Sequence, residues 1–252
     1  MINVFTGTFD AIRKSWTVLM ADKELLIFPT LSGILCLIVC VSFFVPLSMA
    51  DKGVEHLYNT NQTAFIAGAF LFYFLNYFLI TFFNCAVIAC AEIRMSGGDP
   101  SLGDGFSAAF AVIGYIALWA IIEATVGLLL RMLKGRNRRS FVTGSLGTLW
   151  TMASFFVAPR MVIDRINPFT ALRSAWNDVK SNWGHQLVAG VSFGLIGVMA
   201  SIPAFLFVYF TGAASIAAMV AGVMWVLIVA LLVSALKSIF QASLYLTIQS
   251  RG

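Results

Sequence analysis

Charged residues are scarce in this 252-residue chain: only 11% of its residues are Asp, Glu, Lys or Arg, whereas 60% are hydrophobic. A soluble globular domain is typically about one quarter charged and about half apolar. The charged residues are not evenly spaced along the chain, because long blocks contain few or none of them. This pattern excludes an ordinary soluble domain and predicts an integral membrane protein.

Residues that commonly carry catalysis or bind metals are also few. The two histidines, His56 and His185, have no Ser, Cys or acidic partner at a spacing typical of a catalytic triad, and no HExxH motif is present. The four cysteines lie within apolar blocks, where Cys behaves as a small hydrophobe. Cys36 and Cys85 could approach each other between antiparallel helices, but no motif completes a soft-metal site. We therefore predict no catalytic residue, no metal and no cofactor, although a membrane active site can assemble from distant spans without a motif.

The chain has six long apolar blocks instead. A helix rises 1.5 Å per residue and needs about 20 residues to cross the roughly 30 Å hydrocarbon core, which each block can supply. The blocks are too long and too rich in Leu, Ile, Phe and Ala for the alternating strands of a barrel. The predicted fold is all-α, one polytopic transmembrane bundle over residues 1–252, with about six spans at 25–48, 63–91, 106–130, 141–163, 186–210 and 214–246.

Two segments resemble each other at an offset of 160 residues: FDAIRKSWTVL at 9–19 and FTALRSAWNDV at 169–179. Both carry apolar residues at the period of one helix face, with Trp among them and basic residues between. The paired apolar positions are Phe9, Ile12, Trp16 and Leu19 in the first copy, and Phe169, Leu172, Trp176 and Val179 in the second. The match favours an internal repeat over a chance likeness between two ordinary juxtamembrane helices.

Each copy precedes a span and predicts an amphipathic helix lying in the membrane interface, with Trp at headgroup depth. The predicted interfacial helices cover residues 3–20 and 168–183. The side chains expected to contact lipid headgroups are Arg13, Lys14, Trp16, Arg173, Trp176, Lys180 and Trp183.

Three of the polar side chains inside the predicted spans are candidate functional residues: Glu123, Asn76 and Asn84. Glu123 has no basic residue within one turn, and a charged carboxylate there costs about 2.5–3.5 kcal/mol on insertion scales, so it should face protein or a water-filled cavity. It is either a proton, cation or ligand site, or a neutral Glu bonded to a neighbouring helix. Asn76 and Asn84, two turns apart, should share a face and find partners in the bundle. Lys237 is expected at the depth of Glu92 and not of Glu123.

Glycine-rich stretches favour structural roles. GGDPSLGDG, residues 97–105, lacks the Lys-Ser/Thr ending of a phosphate-binding loop. Asp99 before Pro100 is predicted to cap a helix, with the glycines allowing sharp turns. Small residues spaced three or four apart allow helices to approach closely, within the chain or between subunits. They are Gly190, Gly194 and Gly197.

The net charge of +5 comes mostly from bases beside the predicted spans, where anionic headgroups are the expected counter-charge. Membrane lipids are the expected partners, nucleic acid is not, and a homo-oligomer or a membrane-protein partner is left open. Lys and Arg at the span ends favour a cytoplasmic N-terminus in the inner membrane, although the cluster RMLKGRNRR at 131–139 argues the other way. No cleavable signal peptide is expected, since the first apolar block starts late and is too long.

Four stretches together resemble a widespread prokaryotic family of polytopic membrane proteins, a domain of unknown function. They are SWTVLMADKELLIFPTLSG (15–33), GGDPSLGDGFSAAF (97–110), LWAIIEATVGLLLR (118–131) and LWTMASFFVAPRMVIDRINPFTALRSAWNDVKSNWG (149–184). The resemblance covers most of the chain. It implies the six-span plan and the interfacial helices, and it implies no activity.

Two functions remain after these exclusions. The first is a non-enzymatic inner-membrane protein that organises lipid or a membrane partner complex through its interfacial helices. The second is a transporter or channel for a small solute or lipid, with Glu123, Asn76 and Asn84 along its route. A wet cavity reaching Glu123 would favour transport, whereas a dry bundle with Glu123 bonded to a neighbour would favour the organiser.

Overall fold

In a computed structural model, the chain folds into long helices. The structure describes residues 2–49, 61–136, 147, 150–151, 153–211 and 216–249, without the side chains of 2–9, 132–136, 177–192, 194–195 and 216–217. The helices are α1 (Ile2–Ala21), α2 (Ile27–Met49), α3 (Gln62–Met95), α4 (Leu102–Ala111), α5 (Ile113–Arg136), α6 (Val157–Val162), α7 (Pro168–Thr211) and α8 (Ile216–Gln249), with a 3-10 turn at Lys23–Leu26. The described residues contain no strand, which confirms the all-α prediction.

Among the described residues, four stretches are long and apolar enough to cross a bilayer: Lys23–Met49, Gln62–Met95, Ile113–Arg131 and Ala218–Gln249. Hydrocarbon offers backbone groups no hydrogen-bond partner, so an apolar span satisfies them within its own helix. Two shorter apolar helical stretches overlap the other two predicted spans: Ala153–Val162, which contains α6, and Ile196–Thr211, which is the end of α7. A multi-pass plan of about six spans is therefore consistent with the structure. Most of the segment from 141 to 152 lies outside the described residues.

The predicted span 106–130 is not one helix. The structure divides it between α4 and α5, which are separated at Val112, where φ is −116° and ψ is 18°. Val112 is buried and its amide donates to Ala109 in a tightened last turn. The candidate span begins only at Ile113, so α4 is a separate short helix packed on α3. Apolar composition alone did not mark this break, because both sides of it are equally apolar.

The predicted boundary between the interfacial helix 168–183 and the span 186–210 is also absent. Both belong to α7, one helix of 44 residues. Gly184 is the only helix-weakening residue between them, and a single Gly costs only about 1 kcal/mol relative to Ala. A helix of this length measures about 66 Å, roughly twice the hydrocarbon thickness. A large part of α7 must therefore lie outside the hydrocarbon core or run strongly tilted.

The loop before α4 is capped differently from the prediction. Ser101, and not Asp99, is the N-cap: its hydroxyl accepts from the amide of Asp104, whose carboxylate accepts in return from the Ser101 amide at 2.9 Å. The bonds from the Ser101 hydroxyl and amide lower the pKa of the Asp104 carboxyl below its ordinary value. Gly97 has a φ of 89°, so the turn interpretation holds at that glycine.

The packed core lies towards one end of the bundle. It is built from the second half of α3, residues 81–91, the second half of α8, residues 235–245, and α6, with Leu19 and Phe28 closing it. The other ends of the spans expose their apolar side chains, as Phe44 of α2 and Tyr209 and Phe210 of α7 do. In a bilayer these exposed ends face lipid, because apolar side chains are as well accommodated by hydrocarbon as by protein.

Candidate functional site

The described part of α1 has two faces. Ser15, Val18 and Leu19 are buried against the bundle, and the Ser15 hydroxyl donates to the Ala11 carbonyl at 2.8 Å. Arg13, Lys14 and Trp16 are exposed, with Trp16 48% accessible. The predicted stripe therefore splits, since Leu19 packs on protein whereas Trp16 points outward. The side chain of Phe9 lies outside the described residues.

The beginning of α7 repeats this arrangement. Ala171 and Ala175 of α7 are buried. Their equivalents in α1 are Ala11, which is part-buried, and Ser15, which is buried. Arg173 and Trp176 are exposed, as are their counterparts in α1. The two copies therefore share an inward face of small residues and an outward face of Arg and Trp. The predicted headgroup residues Lys180 and Trp183 lie outside the described side chains.

A charged cluster fixes the end of α1 to the end of α3. The Arg94 guanidinium donates to both carboxylate oxygens of Asp22 and also to Asp99. Asp22 lies in the turn that follows α1, and its side chain is only 13% exposed. A planar guanidinium suits such two-pronged pairing with a carboxylate. The sequence did not predict that Arg94 and Asp22 meet.

Glu123 packs between helices in the part-buried interior. Its carboxylate accepts a hydrogen bond of 3.5 Å from the Thr81 hydroxyl on α3. One turn earlier on α5, buried Trp119 stacks on Trp150, with ring centroids 5.6 Å apart. Glu123 thus has a hydrogen-bond partner on a neighbouring helix, as in the structural alternative to a proton, cation or ligand site.

The structure places Lys237 nearer to the depth of Glu123 than the sequence predicted. The described residues contain no ion pair between Lys237 and Glu92. Ser238, next to Lys237, donates to Asn84 of α3, one turn from the Thr81 that meets Glu123. Depth counted from the ends of spans misled the prediction, because α3 and α8 have 34 residues each and extend beyond a span.

The two asparagines of α3 are not equivalent. Asn84 accepts a hydrogen bond of 3.0 Å from Ser238 of α8, so it has the predicted partner in the bundle. Asn76 instead donates to the Phe72 carbonyl of its own helix at 2.8 Å. Asn84 lines a cavity between α2, α3 and α8, whereas neither Asn76 nor Glu123 borders it. The structure therefore does not bring the three predicted polar residues together in one route.

Of the three glycines predicted to allow close helix approach, only Gly197 has a described environment, because those of Gly190 and Gly194 are not described. A Cβ at Gly197 would lie 3.9 Å from Val233 of α8, an ordinary contact. The approach at Gly222 of α8 is closer, since a Cβ there would lie 2.7 Å from Val208 of α7.

Within the part of the chain that the structure describes, no group of three or more His, Cys, Asp and Glu side chains is arranged to hold a metal ion. The four cysteines there are free thiols.

Comparison with known proteins adds one match. Residues 63–251, well over half of the chain, match the family model DUF6159, described as a family of unknown function. No curated protein matches the chain.

Proposed function

Since this chain belongs to DUF6159, a family of unknown function, we propose a role from its own geometry. It is a non-enzymatic membrane protein that organises anionic lipid at one face of the bilayer, through α1 and the first part of α7. The observation that carries this proposal is the repeated outward pair: Arg13 with Trp16, and Arg173 with Trp176, all exposed.

The chemistry of this pair suits a lipid headgroup region. Trp favours the interface because its ring is apolar and its N–H is polar. A basic side chain near an anionic membrane surface contributes about 1 kcal/mol of attraction. Since Ser15 and Ala175 bury the opposite face of each copy against protein, the Arg and Trp side chains remain available to lipid.

The attachment of α1 supports an organising role over a loose tail. Arg94 pairs with Asp22 directly after α1, and Leu19 is fully buried in the core. These contacts hold the outward face at a constant level relative to the spans. A helix held in this way can order the lipids beside it, whereas a mobile tail would only tether them.

The surroundings of Glu123 support this proposal over conduction. Glu123 accepts a bond from Thr81 and does not border the cavity between α2, α3 and α8. A carboxylate that serves ion or proton movement usually faces a water-filled route. Its contact with a neighbouring helix fits a structural role in joining α3 to α5.

The test measures lipid preference. The protein is reconstituted in nanodiscs of phosphatidylcholine with a minority of phosphatidylglycerol, and the lipids that it retains on release are counted by native mass spectrometry. We expect the wild type to retain phosphatidylglycerol preferentially. Arg13→Gln and Arg173→Gln should each reduce that preference about fivefold, the equivalent of about 1 kcal/mol per basic side chain.

Arg131→Gln is the charge control, because it removes the same charge outside the two repeated pairs, near the end of α5, where the guanidinium lies 5.0 Å over the Tyr73 ring. It should reduce the preference less than Arg13→Gln or Arg173→Gln does. Equal retention by all three variants and the wild type would contradict the proposal. Solute flux into proteoliposomes that is abolished by Glu123→Gln would replace it with transport.

A further inference from the structure

A cavity of about 420 Å³ lies between α2, α3 and α8. Its volume is within the range of about 300–1,000 Å³ found for small-molecule sites. It is separate from the outward faces of α1 and α7, and it does not include Glu123. Its walls are mainly apolar, with Phe83 and Val87 of α3 facing Leu231 of α8.

The cavity opens sideways towards the bilayer. Ile34 and Leu37 of α2, Ile80 of α3 and Leu227 of α8 all border it and are exposed. All four lie in candidate membrane spans. A molecule reaching the cavity past these side chains therefore comes from the hydrocarbon and not from water.

The polar groups of the cavity call for an uncharged occupant with an acceptor oxygen. Ser238 donates to the Asn84 carbonyl oxygen, while the Asn84 amide nitrogen has no hydrogen-bond partner among the described residues. A donor in an apolar surrounding without an acceptor is costly. None of the side chains lining the cavity carries a charge, so a phosphate or carboxylate headgroup would have no counter-charge there.

The geometry points to a binding site for a neutral lipid between α2, α3 and α8, in which Asn84 donates to a carbonyl oxygen of that lipid. The lipid enters from the bilayer, its chain lies against Phe83, Val87 and Leu231, and its polar group lies beside Asn84 and Ser238. This site is independent of the headgroup-binding role proposed for α1 and α7.

The test uses photo-crosslinking in nanodiscs. The probe is a diacylglycerol with a diazirine in one acyl chain, which has two ester carbonyls and no charge. The comparison probe is phosphatidylglycerol with the same labelled chain. In the wild type, the diacylglycerol probe should crosslink to cavity residues on α2, α3 and α8, and excess unlabelled diacylglycerol should suppress these crosslinks. The phosphatidylglycerol probe should label the cavity at least tenfold less.

Two variants test the hydrogen-bond donor of Asn84 and the volume of the cavity separately. Asn84→Leu keeps the side-chain size but removes the donor, and should weaken cavity labelling about tenfold. Gly33→Leu fills the cavity from the α2 wall, where a Cβ would have only Leu231 nearby at 3.7 Å, and should abolish the labelling. Gly68→Leu is the matched control, because it makes the same change in α3 at a position with open space and away from the cavity.

Several results would overturn the inference. The first is cavity labelling in Gly33→Leu that is as strong as in the wild type. The second is equal cavity labelling by the diacylglycerol and phosphatidylglycerol probes. The third is crosslinks in the wild type that excess unlabelled diacylglycerol fails to suppress. The competition measurement uses the wild-type protein alone, so it decides the question even where a variant fails to fold.

Discussion

At the scale of single residues, Arg94 joins two segments of the chain that lie 72 residues apart. It lies in the last turn of α3 and pairs with Asp22 after α1 and with Asp99 before α4. Asp99 is 91% exposed, whereas Asp22 is largely covered. The contact with Asp22 is therefore the stronger of the two, because water screens it less.

We expect Arg94→Gln to lower the Tm in detergent by a few degrees and to speed proteolysis between α1 and α2, since Asp22 then loses its partner. Arg94→Lys should rescue only part of the loss, because an ammonium cannot make the two-pronged contact. Tm by circular dichroism and the rate of cleavage near Lys23 are the measurements. Arg131→Gln is the charge control, and an equal effect there would contradict a specific role for Arg94.

At the scale of helices, α4 packs against its neighbours through a glycine. A Cβ at Gly105 would lie 2.6 Å from Cζ of Phe28, 2.8 Å from Sγ of Cys90 and 3.1 Å from the Ala86 carbonyl oxygen. Gly105 is therefore needed for close approach and not for the sharp turn that the loop sequence predicted. The capping box of Ser101 and Asp104 starts the same helix one turn earlier.

Gly105→Ala should destabilise the protein by about 1–3 kcal/mol, because α4 must move away from α3 and α2. Gly114→Ala makes the same change in α5 with nothing within 4 Å of the new Cβ, and its better helix propensity should stabilise by up to about 1 kcal/mol. Free energies of unfolding in mixed micelles measure both. Two variants of equal stability would show that α4 has no tight contact at Gly105.

At the scale of the whole molecule, the spans have a packed end and a lipid-facing end. The packed end contains Arg94 with its carboxylates and the outward Arg and Trp of α1, close to the end of α3. The charge distribution of the sequence favours placing this end at the cytoplasmic face. We therefore predict that the packed end and the N-terminus lie on the cytoplasmic side of the membrane.

We expect Lys23→Cys and Thr63→Cys to be labelled from opposite sides. Both positions are exposed, and they lie before and after the single crossing of α2. In a background with the four native cysteines replaced by Ala, a membrane-impermeant maleimide added to intact cells should label Thr63→Cys and reach Lys23→Cys only after the membrane is opened. The reverse pattern would place the N-terminus outside.

The sequence by itself determined the helical class, the bounds of three of the four candidate spans to within a few residues, and the repeated Arg and Trp of the two similar segments. These features follow from the local cost of placing polar groups in hydrocarbon, which is legible residue by residue. The sequence did not predict that α7 is continuous or that the helix is broken at Val112, since no proline or charge marks either place.

Only the tertiary structure decided which polar groups meet: Arg94 with Asp22, Thr81 with Glu123, and Asn84 with Ser238. It also decided that Asn84 borders a cavity while Asn76 bonds to its own helix. The physical reason is that lipid and protein interior are equally apolar, so the hydrophobic pattern of a span does not show which of its faces meets another helix. The rotation and depth of each helix, set by contacts between residues far apart in sequence, supply that missing information.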